Sequence, residues 1–171
     1  IIHEAFNFAS LVNLPIFFVC ENNLYSVYTH LKERQINSDL TRFARSHNIK
    51  SSIINGNKII DVVKESSKAI NYIRKNKKPY FIQLQTYRWR EHCGPNFDNH
   101  IGYRTNNEFL KWKKQCPVKT YEKILLSKKI LTNKKIDNIK NFLLKQINKS
   151  FELAINSNLP NPKSAKDFVY N

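Results

Sequence analysis

The chain has 171 residues, with 29 basic and 13 acidic side chains and a formal net charge of +16. This length suits one domain, or one domain with an appendage, and a hydrophobic share of 41% excludes wholesale disorder. The longest apolar run, residues 14–20, is too short to cross a membrane, and no signal peptide opens the chain. Three cysteines without metal-type spacing fit a reduced cytoplasm. Because Met is absent and the chain opens within an amphipathic pattern, we expect a fragment of a longer polypeptide.

The positive charge comes mainly from Lys, which is scattered over predicted helix faces. Proteins that read nucleic acids usually rely on Arg and interleave basic with aromatic residues. All seven arginines precede residue 105, and no such interleaving occurs. Nucleic-acid binding is therefore not expected. A basic, non-catalytic module that binds nucleic acid or an acidic protein through its Lys-rich helices is kept as an alternative.

Residues 1–104 alternate between helical and strand patterns. Helical spacing covers residues 4–12, 39–47 and 60–74, and strand patterns cover residues 16–20, 50–55 and 80–87. This alternation predicts an α/β fold with a parallel sheet flanked by helices. The apolar run 16–20 is typical of a strand covered on both faces.

Two local signals mark boundaries within this region. Ser38 is a possible N-cap of the helix over residues 39–47. The turn Asn55-Gly56-Asn57 closes the strand before it, and its residues can adopt positive φ.

The character of the chain changes after Tyr103. Residues 107–114, 119–128 and 134–157 show helical spacing with no strand between them. We expect domains at 1–104 and 105–171, the second being a helical C-terminal region that packs on the first and on a partner subunit.

Two segments are candidates for chemistry. In parallel sheets ligands bind beyond the carboxyl ends of strands, where residues 21–25 and 88–92 are placed. Asn22-Asn23 offers amide oxygens of the kind that magnesium accepts, although Asn-Asn also makes ordinary turns. His92 lies in a sixteen-residue loop, 88–103, where it could move protons or bind phosphate, or be a solvent-exposed loop histidine. A nucleophilic Cys93 or a zinc site has no supporting residue pattern.

Two strings resemble one known family. Residues 6–26, which contain Glu21-Asn22-Asn23-Leu24-Tyr25, resemble the thiamine-diphosphate-binding region of the alpha subunit of the decarboxylating component of 2-oxo acid dehydrogenases. Residues 83–105 resemble the strand and active-site loop of the same family. The helices that follow, to Phe168-Val169-Tyr170, are similar to its carboxyl-terminal part.

The resemblance implies a thiamine diphosphate-binding fold and specific roles. Asn23 would give magnesium its side-chain oxygen and Tyr25 its backbone carbonyl. His92 would hydrogen-bond the cofactor diphosphate and assist acyl transfer to the lipoyl partner. The residues that match those ordering the active-site loop are Arg88, Asp98, Tyr103 and Arg104.

The implied reaction is oxidative decarboxylation of a 2-oxo acid by the thiamine cofactor, with acyl transfer to lipoamide. The implied assembly is a heterotetramer with a beta subunit, and a lipoyl-bearing acyltransferase would accept the acyl group. An alternative is a thiamine-dependent enzyme of a biosynthetic pathway without a lipoyl partner. These residues do not distinguish this alternative from the dehydrogenase.

Three departures from the family pattern have consequences. The Gly-Asp-Gly half of the cofactor motif is not in this sequence, so the chain alone is expected to bind cofactor poorly and to be inactive. Cys93 stands where some members carry a serine that kinases modify, so that regulation is not expected here. Trp89-Arg90-Glu91 and Gly94-Pro95 lengthen the loop relative to the pyruvate type, which leaves the particular 2-oxo acid open.

Overall fold

The computed structural model describes residues 1–168, so the match at Val169 and Tyr170 lies outside the described residues. Two compact units are present, Ile1–Tyr121 and Glu122–Asn171. The helices and strands, in chain order, are α1 (Ile2–Leu11), β1 (Phe17–Asn22), β2 (Tyr25–Ser26), β3 (Thr29–His30), α2 (Leu31–Arg34), α3 (Thr41–Arg45), β4 (Lys50–Asn55), α4 (Ile59–Asn76), β5 (Tyr80–Gln85), α5 (Asn106–Lys113), α6 (Pro117–Ser127) and α7 (Asn133–Asn156).

The centre of the first unit is a three-stranded parallel sheet in the order β1-β5-β4. Phe17 pairs with Tyr80 at the start of the strands, and Asn22 pairs with Gln85 at their carboxyl ends. A separate antiparallel pair joins β2 to β3. The predicted α/β fold with a parallel sheet is confirmed.

Apolar side chains cover the sheet on both faces. Phe81 of β5 packs in one cluster with Phe6 of α1 and Ala44 of α3. Tyr80, the preceding residue, packs on the opposite face with Ala69 and Ile73 of α4. Successive strand residues point to opposite faces, so the central strand anchors both helical layers.

The prediction that β1 is covered on both faces is wrong. Phe18 packs edge-on against Phe6 of α1, with ring centroids 4.9 Å apart, and Phe17 contacts Tyr80 on the other face. Val19 nevertheless keeps 53% of its surface exposed. In the described residues β1 is an edge strand, and the helical layer does not reach along its whole length.

Two predicted boundary signals act differently from expectation. Ser38 is not the cap of α3. Instead Asp39 accepts hydrogen bonds from the backbone N–H of Thr41 at 2.9 Å and from its hydroxyl at 2.5 Å. The predicted turn Asn55-Gly56-Asn57 does close β4, but Gly56 does not have positive φ. Its small size matters because a Cβ there would lie 3.0 Å from Leu84 Cβ and 3.2 Å from the Gln85 carbonyl oxygen.

The three predicted C-terminal helices are present as α5, α6 and α7. The hydroxyl of Thr132 caps α7 by accepting the Lys135 N–H at 3.3 Å. Ile136 of this helix is buried, whereas a longer apolar set is exposed, namely Ile139, Phe142, Leu143, Ile147 and Phe151. No helix within residues 1–168 combines the length and apolar character that membrane crossing requires. The domain boundary after residue 104 stays a prediction.

Candidate functional site at the carboxyl edge of the sheet

The carboxyl ends of the three strands are joined by hydrogen bonds. The Thr86 N–H donates to the Asn22 carbonyl at 3.0 Å, and the Thr86 hydroxyl donates to Asn57 Oδ1 at 3.1 Å. The Gly56 N–H donates to the Gln85 carbonyl at 2.7 Å. The segments that follow β1 and β5 therefore leave the sheet side by side, as the strand pattern predicts.

The segment after β1 is built from two consecutive Asx turns. Asn22 Oδ1 accepts the Leu24 N–H at 3.0 Å, and Asn23 Oδ1 accepts the Tyr25 N–H at 2.9 Å. Leu24 has a φ of 72°, a left-handed conformation that costs a non-glycine residue about 1 kcal/mol. The short-range bonds and the packing of Tyr25 offset this cost.

The loop after β5 is held at both ends by one network. Arg88 Nη2 donates to the Val27 carbonyl at 2.8 Å and to the Tyr103 hydroxyl at 3.0 Å. Tyr103 donates its hydroxyl proton to Asp98 Oδ2 at 2.8 Å. Arg104 Nη1 donates to the Arg88 carbonyl at 2.5 Å. The four residues that the family resemblance selects in this loop are thus brought together.

Asp98 and Arg104 form a buried ion pair. Arg104 Nη2 lies 2.5 Å from Asp98 Oδ1, and the Arg104 and Asp98 side chains are 0% and 1% exposed. Burial alone would raise the pKa of the Asp98 carboxyl. The hydrogen bond from Tyr103 and the charge and hydrogen bond of Arg104 outweigh it and hold that pKa below its usual value.

An aromatic cluster surrounds the Arg104 guanidinium. Its carbon lies 5.2 Å from the ring centroids of Tyr87 and Tyr103 and 5.6 Å from that of Phe109. Tyr25 and Tyr87 are also in edge contact, 6.3 Å apart. The segments after β1 and β5 consequently share one apolar core.

Glu108 is a residue of this cluster that the sequence reasoning missed. Its carboxylate accepts the Tyr25 hydroxyl at 2.9 and 3.0 Å. Burial and this carboxylate raise the pKa of Tyr25 well above its usual range. Burial raises the pKa of Tyr87 to about 12, although the charge of Arg104 opposes it. The pattern Thr105-x-x-Glu108, a capping box at the start of α5, could have drawn attention to Glu108.

Gln83 is a second residue that the sequence reasoning missed. This fully buried side chain of β5 accepts the Leu40 N–H at 2.8 Å and donates to the Ser38 carbonyl at 3.0 Å. Gln83 therefore fixes the segment before α3 to the central strand. An amide inside an apolar strand gives no pattern that separates this role from an exposed position.

His92 and Cys93 are exposed at the crest of the loop 88–103. No hydrogen bond to either side chain is present among the described residues. The imidazole is therefore free to contact a ligand.

The residues after β1 fit part of a magnesium site. Asn23 Oδ1 and the Tyr25 carbonyl are neutral oxygen donors, which magnesium accepts beside phosphate oxygens. Asn22 Nδ2 is a hydrogen-bond donor that is buried without a partner in the described structure. A hydrogen-bond acceptor is therefore still lacking beside the proposed metal ligands. Within residues 1–168 no group of three acidic, His or Cys side chains could hold a metal by itself. These two oxygens are suitable ligands for magnesium, but other groups would supply most of the six ligands of an octahedral magnesium ion.

Comparison with known proteins identifies the family. The profile of the family described as "Dehydrogenase E1 component" matches residues 1–163. The chain belongs to this family. The resemblance noted in the residues around Asn22-Asn23 and His92 is thereby confirmed.

Relatives of this E1 component chain come from several lineages. It is 28% identical to the pyruvate dehydrogenase E1 component subunit alpha of Rickettsia bellii, over 99% of the chain and 51% of that protein. It is 27% identical to the 2-oxoisovalerate dehydrogenase subunit alpha of Bacillus subtilis, over 98% and 50%. The testis-specific human pyruvate dehydrogenase subunit alpha is 29% identical, over 99% and 43%. The chain thus spans about half the length of the curated relatives it matches.

Proposed function

We propose that this chain is part of the alpha subunit of a 2-oxo acid dehydrogenase that uses thiamine diphosphate and magnesium. One observation carries the proposal: in an E1 component chain, the Asn23 turn and the His92 loop meet at the carboxyl edge of a parallel sheet. The reaction is oxidative decarboxylation of a 2-oxo acid, with acyl transfer to lipoamide. The relatives named for pyruvate and 2-oxoisovalerate support this substrate class. A cytoplasmic location in a bacterium is part of the proposal.

The turn after β1 is proposed to hold the metal. Asn23 Oδ1 and the Tyr25 carbonyl would bind magnesium, and the bound magnesium would offset the negative charge of the cofactor diphosphate. The Asx turns fix the backbone before the metal arrives, so little conformational entropy is lost on binding. The Glu108 contact holds the Tyr25 ring and thereby the peptide that carries its carbonyl.

His92 is proposed to act on the cofactor diphosphate and on the acyl acceptor. Its exposed imidazole can donate a hydrogen bond to a phosphate oxygen, and it can exchange a proton during transfer of the acyl group to the lipoyl sulfur. Thiamine diphosphate, when bound, supplies the electron sink for the loss of carbon dioxide. The network of Arg88, Asp98, Tyr103 and Arg104 is proposed to keep the His92 loop ordered above the diphosphate.

A beta subunit is proposed as the partner in a heterotetramer. The resemblance assigns to that chain the glutamate that activates the cofactor. The exposed apolar residues of α7 fit a large, apolar subunit contact, which is typical of obligate interfaces. A lipoyl-bearing acyltransferase is proposed as the acceptor of the acyl group.

The metal-binding role can be tested with two asparagine variants. Asn23→Ala removes the proposed ligand oxygen, and Asn37→Ala removes an Asx turn of the same kind, in which Asn37 Oδ1 accepts the Asp39 N–H at 2.8 Å. In the complete alpha chain paired with its beta subunit, thiamine diphosphate and magnesium should raise the melting temperature of the wild type and of Asn37→Ala. Asn23→Ala should lose this rise. An equal rise in all three proteins would overturn the metal role of Asn23.

The role of His92 has a different signature. His92→Gln in the same pair should keep most of the cofactor-induced thermal shift but lose at least about 100-fold in acyl transfer to lipoamide, a loss typical of a removed acid-base group. Decarboxylation measured with an artificial electron acceptor should fall less. Unchanged transfer to lipoamide would contradict the assignment.

The chain by itself is expected to bind thiamine diphosphate weakly. Two neutral oxygens give magnesium no anionic protein ligand, and this sequence has no Gly-Asp-Gly motif. Isothermal titration of the 171-residue chain with cofactor and magnesium checks this expectation, and tight binding would contradict it.

A further inference from the structure

A cavity lies beside the loop 88–103 and shares no lining residue with the turn proposed to bind magnesium. It has a volume of about 210 Å³ and is lined by residues of the loop, of α5 and of the start of α6. Its apolar walls are the rings of Trp89, Phe97 and Phe109. A cavity of roughly 150 Å³ can hold a benzene ring, so the space suits a ligand with one ring or a branched chain.

Three cations line the same cavity: Arg90, Lys113 and Lys119. Arg90 lies 4.0 Å from the ring centroid of Phe97, and the Lys113 ammonium lies 5.8 Å from the same centroid. Both positive groups therefore contact the same aromatic ring. Among the described residues, no acidic side chain lines the cavity.

These cations have no counter-charge in the described structure. The four ion pairs among residues 1–168 involve other side chains. Arg90 Nη1 donates to the Pro95 carbonyl at 2.8 Å, which positions the guanidinium but does not neutralise it. Several unpaired cations beside an apolar floor repel one another, and an anion that enters would relieve this repulsion.

We propose that this cavity binds a small organic anion, a carboxylate or phosphate monoester that carries one apolar ring or branched chain. The apolar part lies against Trp89 and Phe109, and the anionic group pairs with Lys113, Lys119 and Arg90. The site is distinct from the residues proposed to hold magnesium, and the proposal does not depend on the enzymatic reaction.

An anion bound in the cavity would contact both the loop 88–103 and α5. Trp89 and Arg90 directly precede Glu91 and His92, whereas Lys113 belongs to α5. A ligand that bridges these cations restricts the segment of loop next to His92. The site is therefore placed where an effector could change the mobility of the proposed catalytic histidine.

Phenyl phosphate and phenylacetate are suitable probes, since they share a ring and differ in the anion. Binding to the full chain is followed by NMR through the indole N–H signal of Trp89, which the Trp112→Phe variant distinguishes from the other tryptophan. Benzamide tests the need for charge, and inorganic phosphate tests the need for the apolar part. We expect millimolar or tighter binding for at least one aromatic anion, and at least ten-fold weaker binding for both controls.

Two matched double variants separate a built site from general positive charge. Lys113→Gln with Lys119→Gln removes two lining cations, whereas Lys111→Gln with Lys114→Gln removes two exposed cations of the same region that do not line the cavity. The Lys113/Lys119 double variant should weaken binding of the aromatic anion at least five-fold, and the Lys111/Lys114 double variant should weaken it less than two-fold. Equal weakening by both pairs, equal binding of benzamide or inorganic phosphate, or no shift of the Trp89 signal with either anion at about 10 mM would overturn the proposal. A preference between the two probes identifies the anion as carboxylate or phosphate.

Discussion

The two segments that meet at the carboxyl edge of the sheet are held by opposite means. The backbone of residues 22–25 is fixed by hydrogen bonds between residues two positions apart. Residues 88–104 are fixed by a network of charged and aromatic side chains that reach five to sixteen positions, as from Tyr103 to Asp98 and from Arg104 to Arg88.

This difference predicts how each segment responds to change. A segment held by short-range bonds loses about one hydrogen bond when one side chain is removed. A segment held by a buried charged network loses the whole arrangement, because a single deletion leaves an unpaired charge in the core. The Asn22–Tyr25 turn should therefore tolerate substitution better than the loop that carries His92.

The largest expected effect comes from Asp98→Asn. This change leaves the buried guanidinium of Arg104 without its counter-charge, and we expect a loss of about 3–5 kcal/mol in the free energy of unfolding. Urea unfolding followed by tryptophan fluorescence measures it, because Trp89 and Trp112 both pack in the affected cluster.

Lys68→Gln is the matched control for that variant. It removes the exposed partner of the ion pair with the half-buried Glu65, and because the Lys68 ammonium is solvated this should cost less than about 1 kcal/mol. If Asp98→Asn lowers the free energy of unfolding as little as Lys68→Gln does, the Asp98–Arg104 ion pair does not stabilise the loop.

The second effect is a pH dependence of smaller size. The folded pKa of Asp98 lies below its ordinary value of 3.8, so the stabilisation is complete above about pH 5 and declines as pH falls through 3.8 toward the folded pKa. The protonated carboxyl of Asp98 is neutral, as is the amide that replaces it in Asp98→Asn. The difference in unfolding free energy between wild type and Asp98→Asn should therefore narrow between about pH 5 and pH 3, measured by urea unfolding. A constant difference across this range would contradict it.

The smallest expected effect is a gain in the free energy of unfolding, whereas the changes described above lower it. Val27 has a φ of 53° in the two-residue turn between β2 and β3, a conformation that β-branched residues avoid and glycine adopts readily. Val27→Gly should raise the free energy of unfolding by about 1 kcal/mol. Ser26→Gly, in β2 of the same hairpin, should lower it by about 0.5–1 kcal/mol. Destabilisation by both variants would mean that the strain at Val27 is relieved by its packing.

The sequence predicted the helices and strands that show regular apolar spacing, and the segments that directly adjoin them. Strand β4 was predicted at its observed bounds, Lys50–Asn55, and α4 within two residues, because apolar spacing extends over their whole length. The position of Asn23 and Tyr25 after β1 follows from the same patterns. The strand pattern also placed His92 as a candidate. The family resemblance added its role and the four residues Arg88, Asp98, Tyr103 and Arg104, which the structure brings together in one network.

The remaining features depend on contacts that no local pattern specifies. The Asp98–Arg104 pair joins residues six positions apart in an aperiodic loop, and the Tyr25–Glu108 bond spans 83 positions. Gln83 is buried because its amide meets backbone groups of residues 38 and 40, which are distant in sequence. The side chain that accepts the Thr41 N–H at the start of α3 is that of Asp39 and not of Ser38, and these two residues differ by one position and have similar capping preference. Val19 is exposed in the described structure, where β1 is an edge strand, and residue type does not encode sheet order.

The central place of β5 has a consequence for synthesis on the ribosome. Both β1 and β4 pair with β5, which is translated after them. At about 5–20 residues per second, β1 waits roughly 3–12 s before the strand that pairs with it leaves the ribosome. During this interval the edge of β1 that pairs with β5 stays open, and an apolar strand with an open edge, here Phe17, Phe18 and Val19, is a hazard for aggregation. Nascent chains stopped before Tyr80 should therefore depend on chaperones more than chains that have released β5.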